Sequence, residues 1–111
     1  MSKELKGVPV VEGSGNVFAD VGLEMSDDDM LRVHLALAIN RTIQKRALTQ
    51  AEAGRIMNMD QSKVSKILRG RLDGFSEKRL IECLLSLGRD IEVRFPDRWR
   101  SDRGKIRVRA A

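Results

Sequence analysis

Within nine consecutive residues, Gln61, Ser62, Lys63, Ser65, Lys66 and Arg69 each offer a hydrogen-bond donor, three of them cationic, with no carboxylate among them. If the stretch is helical, Val64, Ile67 and Leu68 turn the other way and the polar side chains share the exposed side. Such a face suits the major groove of duplex DNA. Glutamine pairs with adenine through two hydrogen bonds, lysine donates to guanine, and each good contact discriminates between bases by about 1–3 kcal/mol. The competing reading is a face that docks protein.

Other chemistries find little support. His34 is the one histidine and Cys83 the one cysteine, so no metal-ligand set forms at a usable spacing, and His34 reads as a helix-surface residue. Cys83 lies among leucines and reads as a buried, inert thiol rather than a nucleophile. Asp27, Asp28 and Asp29 point to different faces of a helix, and the helix dipole accounts for them better than a metal does. There is no phosphate-cradling glycine loop and no nucleophile with a nearby base. The expectation is no enzyme, no cofactor and no metal. Trp99, within PDRWRSDRGKIRVR, is a lone aromatic amid arginines that could dock on nucleic acid or a partner. The preferred reading is a disordered basic tail, whose Arg98, Arg100, Arg103, Lys105, Arg107 and Arg109 could still add non-specific DNA affinity.

The polar face must be held by its neighbours. Ser26 is a candidate cap for a first helix that runs to about Arg46, with Leu31, Leu35, Ile39 and Ile43 recurring every four residues. Thr49-Gln50-Ala51-Glu52 reads as a capping box, opening a second helix that lasts to about Met57. Asn58 tolerates the left-handed turn that must follow, Asp60 can cap a third helix over Gln61–Arg69, and Gly70 stops it. The joint between these two helices is too short for anything but a steep crossing, where small residues are needed; Ala53 and Gly54 supply them. After the loop Arg71–Phe75, Ser76 caps a fourth helix. Its Leu80, Ile81, Leu84, Leu85 and Leu87 make a face wider than one small core needs before Gly88 ends it. Ile91-Glu92-Val93-Arg94-Phe95 alternates like a half-buried strand, ended by Pro96, and is expected to pair with a second copy of itself. Asn16–Leu23 could tuck Phe18 and Leu23 onto the core.

The stretch TQAEAGRIMNMDQSKVSKILRG, residues 49–70, is similar to the lambda-repressor-like helix-turn-helix family, also called the Cro or xenobiotic-response-element (XRE) family. The likeness extends over about residues 28–88. The wider frame, NVFADVGL ahead of it and LRGRLDGFSEKRLIECLLSLGRDIEV behind, looks like the small regulators often encoded as antitoxins beside a growth-inhibiting toxin. The resemblance implies that Gln50 contacts a phosphate and braces Gln61. It also puts Gln61, Ser62 and Lys66 where base edges are read and Lys63 and Arg69 nearer the backbone; Ser65 and Arg71 complete the DNA-binding set. Asn58 departs from the family's usual glycine, and Asp60 from its commoner serine or threonine. Asp60 would set a negative charge near phosphates.

Length and charge agree with this reading. A chain of 111 residues is of single-domain size. Its net charge of +5 is uneven: −5 over residues 1–31, +6 over 32–95 and +4 over 96–111. A basic core suits a polyanion, though charge alone fits a merely soluble surface equally well. A single cysteine, no signal peptide and no apolar run of roughly 18 residues point to a cytoplasmic protein with no membrane contact. The expected architecture is all-α, with four to five helices and a short C-terminal β-strand pairing in a dimer. Residues 1–25 would form a mobile acidic leader, 26–95 the DNA-binding domain and 96–111 a basic flexible tail. Expected partners are double-stranded DNA, a second copy and, in the alternative reading, a protein toxin. The function expected is a repressor that binds a palindromic operator as a homodimer; the alternative is an antitoxin that neutralises a toxin and autoregulates its operon.

Overall fold

The first helix, α1, spans Asp27–Lys45, followed by α2 over Gln50–Met57, α3 over Gln61–Leu68 and α4 over Glu77–Ser86. The computed structural model describes residues 27–109. Ser26, the segment 16–23 and the acidic leader lie outside the described residues, as does any fifth helix placed there.

The four-residue repeat in α1 does what its spacing predicts. Leu35, Ile39 and Ile43 are buried and Leu31 packs at the edge of the same cluster. Against them stand Ala53 and Met57 of α2, Val64 and Ile67 of α3, and Leu80, Cys83 and Leu84 of α4, with Phe75 and Leu87 from the flanking loops. Ile39, Val64 and Leu80 retain no exposure at all. Fully burying such a side chain contributes about 1.5–3 kcal/mol, and this shared cluster holds the three short helices on α1. As the width of the α4 face implied, the surplus is left outside: Ile81 is half-buried and Leu85 is 46% exposed.

Polar clasps link the two ends of the chain's core. Thr42 is buried, donates from Oγ1 to the Ala38 carbonyl at 2.7 Å, and accepts from Arg89 Nη1 at 3.2 Å. Arg46 Nη1 donates to the Leu87 carbonyl at 3.1 Å, satisfying an acceptor at the end of α4. Arg32 pairs with Asp29 and donates from Nη1 to the Phe75 carbonyl at 3.3 Å.

The four helices of the described residues stop by one device. A residue in the left-handed region follows the last turn, and its own amide and the next fold back onto helix carbonyls in the Schellman pattern. That residue is Ala47 after α1, Asn58 after α2, Gly70 after α3 and Gly88 after α4, with φ of 54°, 57°, 77° and 89°. The long back-bonds run from Leu48 N to the Ile43 carbonyl, Met59 N to Gly54, Arg71 N to Lys66 and Arg89 N to Leu84, at 2.8–3.2 Å. Ala47 is the exception in kind, since its Cβ crowds the backbone there.

Two expectations need correction. Residues 91–95 form no strand in the single chain: a strand exists through its ladder, and no other segment among the described residues pairs with it. Ile91 rests on the core while Val93 and Phe95 are 72% and 90% exposed. Asp60 has the extended backbone of an N-cap but makes no side-chain cap bond. Its own carbonyl already accepts from Lys63 N at 3.0 Å and Val64 N at 3.1 Å, which closes the first turn of α3 without the carboxylate.

Candidate nucleic-acid interface

The unit from Thr49 to Gly70 is built from its caps inward. Thr49 Oγ1 accepts from Glu52 N at 3.0 Å and Glu52 Oε1 accepts from Thr49 N at 2.8 Å, so the predicted capping box is complete in both directions. These bonds hold the Glu52 carboxyl below its usual pKa range. At the far end of α2, Asn58 takes φ 57° and ψ 54°, the left-handed turn expected of it.

Gly54 determines how closely the two helices approach. A Cβ at this position would lie 2.7 Å from the Met59 carbonyl oxygen and 3.5 Å from Val64 Cγ2. The first distance is shorter than real Cβ contacts allow, so only glycine lets the turn after α2 fold back this tightly. The buried Ala53 beside it completes the small-residue crossing.

With Val64 and Ile67 buried and Leu68 half-buried against the core, α3 has one orientation available. Gln61, Ser62, Lys63, Lys66 and Arg69 are exposed, Ser65 is half-buried, and Arg71 stands exposed just beyond the helix stop. The sequence-predicted side chains are thus brought together on one side of an eight-residue helix about 12 Å long, a length comparable to the width of a major groove. Among the described residues, Lys63, Lys66, Arg69 and Arg71 make no ion pair, so their charges face solvent uncompensated. Asp60 stands exposed at the head of α3 and Asp73 just beyond Arg71, the acids closest to them in sequence.

Gln50 sits half-buried at the first position of α2, as the resemblance requires, but no hydrogen bond joins it to Gln61 in the free protein. A support that sequence reasoning missed comes from α4: Arg79 Nη2 donates to the Asn58 carbonyl at 3.3 Å and steadies the turn between α2 and α3. The two residues are 21 positions apart, beyond any local pattern. Ser76, which caps α4 by accepting from Arg79 N at 3.1 Å, places that arginine.

Cys83 is buried, and burial pushes its thiol pKa upward. His34 is half-buried on α1, with its pKa lowered first by burial and then by the Arg41 charge. Among the described residues no group of three or more His, Cys, Asp or Glu side chains could hold a metal ion, and no helix is long and apolar enough to cross a membrane.

Residues 17–95 match the profile of a family described as a helix-turn-helix domain. Among solved structures, the chain is similar to an XRE family transcriptional regulator. The two share 34% identity, and the superposition covers 77% of this chain and 97% of the other with a TM-score of 0.68. No curated protein matches at a significant level.

Proposed function

The chain belongs to the helix-turn-helix family of XRE-type, DNA-binding transcription regulators, and on that premise we propose that it is a repressor whose α3 reads operator DNA from the major groove. The observation that carries this reading is the one-sided α3: an apolar side locked into the core and an opposite side of uncompensated donors. Gln61, Ser62 and Lys66 are the base readers. Lys63, Ser65, Arg69 and Arg71 contact the sugar-phosphate backbone beside them, and Gln50 contacts a phosphate from the start of α2.

Two copies act together. Val93 and Phe95 are apolar side chains left in solvent on the segment whose alternation predicts a strand, and Leu85 is exposed on the helix before it. Pairing of residues 91–95 with the same residues of a second copy would cover them and place two α3 helices in successive major grooves, roughly 34 Å apart. A palindromic operator follows from that symmetry. Repression follows from occupancy, because a dimer seated over a promoter excludes polymerase. A cytoplasmic location fits a protein that must meet the chromosome.

Selection of bound sequences from random duplex DNA at about 150 mM salt tests the reading. Wild type is expected to enrich a palindrome. Gln61→Ala and Lys66→Ala should blur it at matching positions of the two half-sites, each costing about 1–3 kcal/mol there. Binding with no enriched sequence would overturn it.

The second reading, an antitoxin that covers a toxin while regulating its own operon, draws on the net charge of −5 over residues 1–31, which suits a basic partner. Residues 1–25 would then be the partner-binding segment. A chain lacking them should keep operator binding and release a co-purifying toxin; retention of both functions would count against this reading.

A further inference from the structure

The family match ends at residue 95, yet the chain continues with a segment whose composition is unlike its core. From Pro96 to Ala111 there are six basic and two acidic side chains and no glutamate, a net of +4. Residues 96–109 form neither helix nor strand, and every one of them is exposed. Arg100 Nε pairs with Asp102 at 3.3 Å; among the described residues Arg98, Lys105, Arg107 and Arg109 make no ion pair. Trp99 is 90% exposed in the middle of this charge. We infer that residues 97–109 are a second DNA-contacting element, an arm that follows the phosphate backbone of the duplex flanking the bases read by α3. The inference rests on the reading of α3 as the operator-reading helix.

The spacing of the cations supports duplex DNA over an acidic protein. Lys105, Arg107 and Arg109 alternate with Ile106 and Val108. On an extended path, alternate residues fall on one side about 6.6 Å apart. A DNA strand winds around its axis, so successive phosphates lie well beyond the axial rise of about 3.4 Å, and cations repeating on one side of an extended chain can meet them one after another along the strand. On a helix the same three would spread around the axis. Reach is sufficient too: even with residues 91–95 held in the dimer, the fourteen residues from Pro96 to Arg109 extend up to about 50 Å, more than one turn of duplex. Trp99 offers a flat apolar ring that such a contact would take out of water.

The chain has one tryptophan and no tyrosine, so its emission reports on the arm alone. The test compares the full-length wild type with a full-length Arg98→Gln/Lys105→Gln/Arg107→Gln/Arg109→Gln variant. Both are titrated with the selected operator duplex, bare and extended by one turn at each end. For wild type, DNA should change Trp99 emission and lengthening the duplex should tighten binding. In the variant the slope of log K against log[NaCl] should flatten by about two to four, at about 0.9 per lost phosphate contact. Between 50 and 200 mM salt, wild type would then lose roughly 15- to 250-fold more affinity than the variant. Equal slopes with unmoved emission would overturn the arm while leaving α3 as the reader. A variant that keeps the slope but fails to dimerise in sedimentation would also overturn it, assigning the segment to a second copy. A flattened slope on duplex of any sequence, with no enriched motif, would uphold the arm and defeat the reading of α3.

Discussion

The third helix and the C-terminal arm carry similar chemistry on opposite supports. On α3, lysines and an arginine stand on a scaffold that allows one arrangement: Val64 and Ile67 sealed in the core, a stop at Gly70, a turn steadied by Arg79. In the arm, six basic side chains follow one another with no helix, no strand and no buried neighbour. A rigid face discriminates, because the entropy of ordering its donors is spent during folding and a wrong base leaves a donor unsatisfied. A chain that must be ordered by its ligand follows whatever backbone is offered. Base readers and phosphate followers therefore call for different amounts of folded structure around them.

Adding one methyl group to each region is the sharpest way to break this contrast. Gly54→Ala drives a Cβ into the Met59 carbonyl, a backbone obstacle that cannot swing away, and should cost about 3 kcal/mol in urea unfolding while also weakening operator binding. Gly104→Ala, in the arm, meets nothing within 4 Å and should leave the unfolding midpoint where it is. Similar losses from both would show that the arm is packed after all.

Asp60→Ser tests the charge at the head of α3. Serine ranks with aspartate at an N-cap and leaves the backbone carbonyl that closes the first turn in place, but it removes the acid. Stability should stay within about 0.5 kcal/mol of wild type while DNA binding tightens with an unchanged sequence preference. Unchanged DNA affinity would place Asp60 away from the DNA.

Ala47→Gly tests the helix stops. Relief of the left-handed strain at φ 54° should outweigh the added freedom of the unfolded chain and raise stability by about 0.5–1 kcal/mol. DNA affinity should not move, because Ala47 lies outside the reading unit.

The smallest effect concerns pH. His34 in the folded chain has a pKa below its ordinary 6.5, so the unfolded chain binds the proton more readily. Stability present above pH 6.5 is therefore lost as the pH falls through the lowered folded value. Denaturation midpoints measured in steps from pH 7.5 to 5 should decline, and His34→Gln should flatten that decline. Glu52, lowered by its bonds to Thr49, adds a separate loss only below its ordinary 4.5.

Local chemistry made most of this fold legible. The capping box, the left-handed Asn58 and the glycine stops each depend on a few neighbouring residues, and all appear at the expected positions. The four-residue apolar rhythm of α1 oriented it correctly because a helix presents that rhythm to a single face. What escaped depended on distance or on company. The contacts of Arg79 with Asn58, Arg46 with Leu87 and Arg89 with Thr42 join residues 21 to 47 positions apart, and no pattern in a linear string marks them. The alternation at 91–95 is a real signal, but a strand is a relation between two segments and one chain holds only one of them. Asp60 has the right residue type and backbone for a cap, and its own carbonyl had already taken the amide.

Cys83 gives the folded chain a clock. Its thiol is shut inside the cluster that binds α4 to α1, and burial disfavours the reactive thiolate. An alkylating reagent can therefore react only during the moments when that cluster opens. The rate at which Cys83 is labelled reads out how often the core breathes, without any introduced cysteine, and addition of operator DNA should slow it in proportion to the share of chains held closed.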